Sequence, residues 1–227
     1  MSKKRITVLL AEDHMVVREG LRQMLEVEAD LEVVGEAQDG RQAVALVKKL
    51  RPAIVLMDIA MPRLNGLEAT RQVLKAVPAT KVLMLSAHSD DAYVKDATNS
   101  GAVGFLLKQT SSHVVCEAIR EVQKGKTFFS PTVARRLHER NRKSADRAGK
   151  APSRNPRLTS REVEVLQLIA EGKANKETAA ELGIGMKTVE KHREHLMQKL
   201  NIHDTAGLTR YAIAAGIIES SVQLTIV

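Results

Sequence analysis

The chain has one cysteine, Cys116, no tryptophan, two tyrosines and three phenylalanines. A single thiol excludes an intramolecular disulfide and a cysteine-based zinc site, and it suits a reducing cytosol. Cys116 is expected on the apolar face of a helix, as a small buried hydrophobe. With so few rings the core must be aliphatic, and an apolar fraction of 44% is enough to build one. Long apolar runs are missing too: nothing approaches the roughly 20 residues of a membrane span. Met1-Ser2-Lys3-Lys4-Arg5 before Ile6–Leu10 has the outline of a secretory leader. Glu12, Asp13 and His14 cut that run short and no small-residue cleavage site follows, so a first strand is expected there.

The formal charge of +8 is unevenly spread. Residues 1–130 carry a net of +2, residues 131–157 a net of +7, and residues 158–227 a net of −1. The basicity therefore belongs to a short middle segment, and a whole-chain argument for nucleic-acid binding would mislead. That segment, around 138–157, has no periodicity and reads as a polar tether whose arginines are solvated. At 227 residues there is room for two modest domains. The expected division is 1–128, a helical extension and basic linker over 129–157, and a second domain over 158–227.

Short apolar runs alternate with amphipathic segments through the first 125 or so residues. Strands are expected over 5–11, 31–37, 53–58, 80–86 and 102–107, and helices over 14–27, 39–50, 64–76, 90–100 and 111–124. The last helix places Val115, Ala118, Ile119 and Val122 at i, i+3, i+4 and i+7. Five βα repeats imply a doubly wound, five-stranded parallel sheet with helices on both faces. After Pro156 a small all-α domain is expected. Thr159 or Ser160 caps a helix with a stripe of Val163, Leu166, Ile169 and Ala170, ended by Gly172. Asn175 caps a short helix to Leu182, Gly183-Ile184-Gly185 turns the chain, and helices follow over 186–200 and about 204–215. A short helix, a glycine turn and a longer helix form a helix-turn-helix pattern.

The sheet is organised around Ile54-Val55-Leu56-Met57-Asp58, an apolar run ending in a carboxylate and followed by Pro62 and Gly66. The first strand ends in Glu12-Asp13, and in a doubly wound sheet it neighbours the strand ending in Asp58. Three carboxylates in one crevice are costly unless a cation joins them, and Mg²⁺ suits such oxygen donors. Strand four ends in Ser86 and strand five in Lys108. A hydroxyl, an ammonium group and a metal around one carboxylate would stabilise a phosphoryl group on it.

On these residues, 5–125 closely resembles the receiver domain of two-component response regulators. The resemblance implies that Asp58 is the phosphoacceptor, with a sensor histidine kinase as donor. It implies that Glu12, Asp13, Asp58 and the Ala60 backbone carbonyl hold Mg²⁺, and that Lys108 pairs with the phosphoryl oxygens. Ser86 and Phe105 fall on switch positions, with Phe105 turning inward once the Ser86 hydroxyl is drawn to the phosphoryl group. Phe105 also reads as a plain core aromatic. Ala87 is small enough for phosphoryl access, and His14 and His88 are taken as solvated neighbours.

Residues 158–215 resemble the NarL/FixJ, or LuxR-type, output domain. The likeness rests on Leu158-Thr159-Ser160-Arg161-Glu162, Asn175-Lys176-Glu177, Leu182-Gly183-Ile184, Lys187-Thr188-Val189, His192 and Lys199-Leu200. Thr178 stands where a larger apolar residue is usual, and Gly185 where Ser or Thr is usual. Within 186–200, Val189, Leu196 and Leu200 form the buried stripe, while Lys187, Glu190, Lys191, Glu194 and Gln198 face outward. Lys187 and Lys191 are the expected DNA contacts, with Glu190 and Glu194 accepting from cytosine or orienting the lysines. Asn175, Lys176, Thr188 and Lys199 are candidates for phosphate contacts. Leu208, Tyr211, Ala212 and Ala215 either form a pairing surface or close the four-helix core. The apolar end of the 220–227 tail has no assigned role.

The implied protein is a cytoplasmic, phosphorylation-dependent transcription factor and not an enzyme. It would be a dimer on promoter DNA, with RNA polymerase as a further partner and no membrane attachment. Two other classes share parts of this pattern. A haloacid-dehalogenase-type phosphatase needs a second Asp two residues after the nucleophile, where Ala60 stands. A protein-docking helical domain is compatible with the mixed charge of 186–200.

Overall fold

The computed structural model describes residues 5–87, 91–129 and 158–218, with backbone only at Asp91 and Ala92. His88, the basic linker and the 220–227 tail lie outside the described residues.

Strands β1 (Ile6–Ala11), β2 (Leu31–Ala37), β3 (Ile54–Asp58), β4 (Lys81–Ser86) and β5 (Gly104–Leu107) alternate with helices. These helices are α1 (Met15–Glu26), α2 (Gly40–Leu50), α3 (Gly66–Ala76), α4 (Asp91–Asn99) and α5 (Ser112–Gln123). The sheet has the parallel order β2-β1-β3-β4-β5-β6. It is six-stranded, not five-stranded: β6, Phe128–Phe129, pairs with Gly104 and Phe105 at the edge. Two residues are too short to show any period, so tertiary pairing alone makes this strand.

Every residue of β3 is buried, as a strand covered on both faces requires. Helices α2, α3 and α4 pack on one face through residues such as Val47, Val73 and Val94. Helices α1 and α5 cover the other through Leu25, Val115, Cys116, Ile119 and Val122. Local chemistry fixes the helix starts near the site. Asp39 accepts from the Gln42 N–H at 2.8 Å, and Asn65 accepts from Glu68 at 2.9 Å. Gly66 is required by space: a Cβ there would collide with the Asp58 carbonyl oxygen.

The helical domain comprises α6 (Ser160–Ala170), α7 (Asn175–Leu182), α8 (Met186–Leu200) and α9 (Thr205–Ala214). Thr159 and Glu162 form a reciprocal capping box on α6. Asn175 does not cap α7: Ala174 holds that position, and Glu177 returns to its N–H at 2.8 Å. Gly183 ends α7 in the left-handed region at φ 62°. The expected single stripe on α6 is incomplete. Val165 and Leu168 are buried with Leu166 and Ile169, and so are Glu164 and Gln167, whereas Val163 is only half-buried. One side of α6 faces its own domain and another faces the sheet domain.

Candidate functional site: a carboxylate crevice and an open helix face

The crevice forms at the C-terminal ends of β1 and β3, which are neighbours, with β5 reaching it from beyond β4. Glu12 and Asp58 are buried, and Lys108 reaches between them. Its Nζ lies 2.9 Å from Glu12 Oε2 and 3.0 Å from Asp58 Oδ2. It donates a hydrogen bond to Glu12 Oε1 at 3.0 Å. Glu12 Oε2 and Asp58 Oδ2 have the Lys108 ammonium as their ionic partner and no other donor. Asp13 Oδ1 is likewise without a donor. Burial, then the charge of Glu12, pushes the Asp58 carboxyl up to about 7, with Lys108 opposing both. Burial lowers the Lys108 pKa, but the Asp58 and Glu12 carboxylates outweigh it and hold the ammonium above its ordinary value.

Three buried or partly buried carboxylate oxygens without hydrogen-bond donors are what a hard divalent cation satisfies. Oxygens of Glu12, Asp13 and Asp58, with a ring nitrogen of His14, lie within 4.8 Å of one another. The donor set fits Mg²⁺. His14, with its ring largely exposed, stands beside these acids at the mouth. Its Nδ1 sits 3.0 Å from both Glu12 Oε1 and Asp13 Oδ1. Glu12's hydrogen bond, then the Asp13 charge, raises its pKa.

Ser86 is buried at the end of β4. Phe105 is fully buried, in the core cluster on the sheet face covered by α2, α3 and α4.

Arg18 escaped the sequence reading. It is buried, donates from Nη1 to the Glu12 carbonyl at 2.8 Å, and pairs through Nε with Glu36 at 3.1 Å. It thereby ties down the loop that carries both acids. The available signal was an arginine at i relative to Leu21 and Leu25 at i+3 and i+7, on the face that should be apolar.

The helical domain docks on the loop after Asp58. Gln167, fully buried, donates to the Met61 carbonyl at 2.9 Å and accepts from the Asn65 backbone N–H at 2.8 Å. The Arg63 backbone N–H donates to Glu171 at 2.9 Å, while its guanidinium pairs with Glu181 at 2.6 Å and Asp39 at 3.2 Å. Arg41 meets Glu164 at 3.1 Å and Glu181 at 3.3 Å. Beside these contacts a cavity of about 460 Å³ is lined by Leu67, Arg71, Asp96, Leu158 and Tyr211. No sequence pattern marks such a contact, because glutamine, arginine and glutamate are ordinary surface residues.

Docking leaves the outward face of α8 open: Lys187, Thr188, Glu190, Lys191 and Glu194 are exposed, as is Lys176. Lys199 is differently placed, with Nζ 2.7 Å from the capping-box Glu162. Asn175 accepts from Arg193 at 3.4 Å, and Arg193 also donates to Thr205 at 2.6 Å, linking α7, α8 and α9. Leu208 and Ala212 are fully buried in the domain's own core, with Tyr211 and Ala215 packed against it. The exposed side of α9 instead carries Arg210, Ile213 and Ala214. Thr178 is buried with a hydroxyl that accepts and donates nothing, and the structure offers no reason for it. Among the described residues no helix is long and apolar enough to cross a membrane.

Comparison with known proteins agrees with this architecture. Residues 8–120 match the response regulator receiver domain, and residues 156–212 match the bacterial regulatory proteins of the luxR family. The transcriptional regulatory protein DegU of Brevibacillus brevis is 37% identical over 215 residues, covering 90% of this chain and 91% of DegU. LiaR of Bacillus subtilis is 40% identical over 207 residues, covering 91% of this chain and 96% of LiaR. The RcsB response regulator of Salmonella typhimurium superposes with a TM-score of 0.56 at 28% identity, over 93% of this chain and 99% of that one. An RcsB–DNA complex matches at 26% identity with a TM-score of 0.56, over 92% of this chain and 98% of RcsB. With a carboxylate crevice at one end and an open helix-turn-helix face at the other, the chain belongs to the response regulators that join a receiver to a LuxR-type DNA-binding domain.

Proposed function

We propose that this protein is a transcription factor switched by phosphorylation of Asp58 in the cytoplasm. The observation that supports the reading best is the meeting of Glu12, Asp58 and Lys108, with ammonium-to-carboxylate separations of 2.9 and 3.0 Å. In the ionised form an Asp58 oxygen attacks the phosphorus of a phosphohistidine on a sensor kinase. The P–N bond breaks, the imidazole leaves with the bonding pair, and an acyl phosphate remains on Asp58. Lys108 then shifts from the carboxylate to the phosphoryl oxygens as a point charge. Glu12, Asp13, Asp58 and the Ala60 carbonyl would hold Mg²⁺, which neutralises charge building on those oxygens. Ser86 would donate to the phosphoryl group. The transfer is to the protein's own side chain, and Ala60 stands where a phosphatase of similar chemistry needs a second acid.

At the output end Lys187 and Lys191 would reach base edges or phosphates, with Glu190, Glu194, Thr188, Asn175 and Lys176 around them. The RcsB–DNA complex supports this use of the fold. A single output domain of net charge −1 grips DNA weakly, which favours a dimer, paired through the exposed side of α9. Since the outward α8 face is already exposed, phosphorylation has little there to uncover, and it acts on the docked loop and on pairing.

The test is full-length protein treated with acetyl phosphate and Mg²⁺, followed by intact-mass analysis and promoter-fragment binding over a salt series. One phosphoryl group per chain, its loss in Asp58→Asn, and tighter, salt-sensitive DNA binding are expected. Uptake by Asp58→Asn at the wild-type rate would refute the assignment, and salt-independent or absent DNA binding would favour a protein-docking role.

A further inference from the structure

The loop that follows Asp58 is held by the helical domain as much as by the receiver. Leu64 keeps its backbone N–H inside the loop, on the Pro62 carbonyl at 2.7 Å. The N–H groups on either side of it leave the receiver. Arg63 donates to Glu171 Oε1 at 2.9 Å, and Asn65 donates to Gln167 Oε1 at 2.8 Å. Arg63 also stands at φ 66°, in the left-handed region, where a residue with a side chain persists only if its surroundings over-determine it. Those surroundings come from both domains: its guanidinium donates to Glu181 Oε1 at 2.8 Å and to Asp39 Oδ2 at 3.2 Å.

Gln167 is the centre of this contact. It is fully buried, and a side-chain amide has two hydrogens to give and an oxygen with two lone pairs. All four positions are used. Nε2 donates to the Met61 carbonyl at 2.9 Å and to Glu171 Oε1 at 2.8 Å. Oε1 accepts from the Asn65 backbone N–H at 2.8 Å and from Asn65 Nδ2 at 3.2 Å. An amide so satisfied has one orientation, and it fixes the loop at two buried points, Met61 and Asn65. Ala60, whose carbonyl the proposed reading gives to Mg²⁺, comes directly before Met61. With the domain docked in this way, oxygens of Glu12, Asp13 and Asp58 already lie within 4.8 Å of one another. Docking and an assembled crevice therefore coexist.

We infer that Gln167 is a positioning residue for phosphoryl transfer to Asp58: from the helical domain it holds the 60–65 loop in the form the reaction uses. The docked domain then speeds phosphoryl uptake and does not obstruct it. A loop ordered beforehand need not be ordered when cation and phosphodonor arrive. Gln167 touches neither the acids nor the donor, and acts only through the loop backbone. The inference rests on the Asp58 reading above.

The experiment compares full-length wild type with Gln167→Ala, Glu171→Ala and Glu171→Gln. Mg²⁺ affinity is measured by calorimetry, and acetyl phosphate uptake by intact mass over a concentration series. Gln167→Ala should lose about tenfold in Mg²⁺ affinity and in maximal uptake rate, as removal of an outer-shell partner does. The acetyl phosphate concentration giving half the maximal rate should change by less than about twofold, since no contact to the donor is lost. Glu171→Ala should shift in the same direction, and Glu171→Gln, which keeps an acceptor for Arg63, should stay near wild type. In metal-free protein the Gly66 N–H, which donates to the Ile59 carbonyl, should exchange faster in Gln167→Ala while the β4 amides do not. A general loss of stability would quicken both. Faster uptake by Gln167→Ala would overturn the inference and make the docked domain an obstruction. Unchanged affinity and rate with the domains apart would overturn it too, and Gln167→Ala/Glu171→Ala replaces the single variant if scattering shows them still together. Absence of uptake by wild type would overturn the Asp58 reading and the inference with it.

Discussion

Metal-free Asp58 should make the receiver less stable as pH rises. Its carboxyl is pushed up from 3.8 to about 7, chiefly by burial and then by Glu12. Between those values the unfolded chain has released the proton and the folded one still holds it. Folding stability attributable to this group is therefore complete below about pH 4 and is lost as pH climbs to about 7, at about 1.4 kcal/mol per pH unit. Three units or so of shift amount to at most about 4 kcal/mol. Asp58→Asn removes the titration while nearly keeping the shape. In chelator, the variant should match wild type near pH 4 and exceed it by a few kcal/mol at pH 8, to within the same bound. Hydrogen exchange of the buried β3 amides in the full chain gives the receiver's opening free energy without interference from the helical domain. The difference between the two proteins across pH is the readout, because other groups titrate in both. Adding Mg²⁺ should stabilise wild type and leave the variant nearly unchanged. A variant less stable than wild type above pH 7, or a difference that does not vary with pH, would refute the reasoning.

Gln167→Ala strands the Met61 carbonyl and the Asn65 N–H, each worth roughly 1–3 kcal/mol when buried unpaired. Small-angle scattering should then show the two domains separated, and unchanged scattering would rule out Gln167 as the anchor. Lys199→Ala should cost the helical domain about 1 kcal/mol or less through Glu162, read by thermal unfolding. The salt slope of its DNA binding should not change, and a smaller slope would put Lys199 on a phosphate. Lys191→Ala, by contrast, should reduce that slope by about one. Gly66→Ala forces a methyl group onto the Asp58 carbonyl. It should destabilise the receiver by roughly 1–3 kcal/mol and slow phosphoryl uptake, seen by exchange and mass labelling together.

Much of this molecule was legible in the chain because its elements announce themselves locally. The apolar run ending in Asp58, the period of Val115, Ala118, Ile119 and Val122, and the Thr159–Glu162 cap each depend on neighbours within a few residues. The order of those elements then brings Glu12, Asp13, Asp58, Ser86 and Lys108 to one edge, since parallel strands joined by helices leave all their C-terminal ends together. What the fold alone decided depends on partners distant in sequence. Phe128–Phe129 is a strand only because β5 has a free edge beside it. Leu208 and Ala212 are core rather than surface because α9 packs against α6. Gln167 is buried although its type predicts solvent, because another domain covers it. His14 faces two carboxylates because the turn after β1 lays its exposed ring beside them. Periodicity records which face of an element is apolar; it carries no record of which polar group a second element will bring against it.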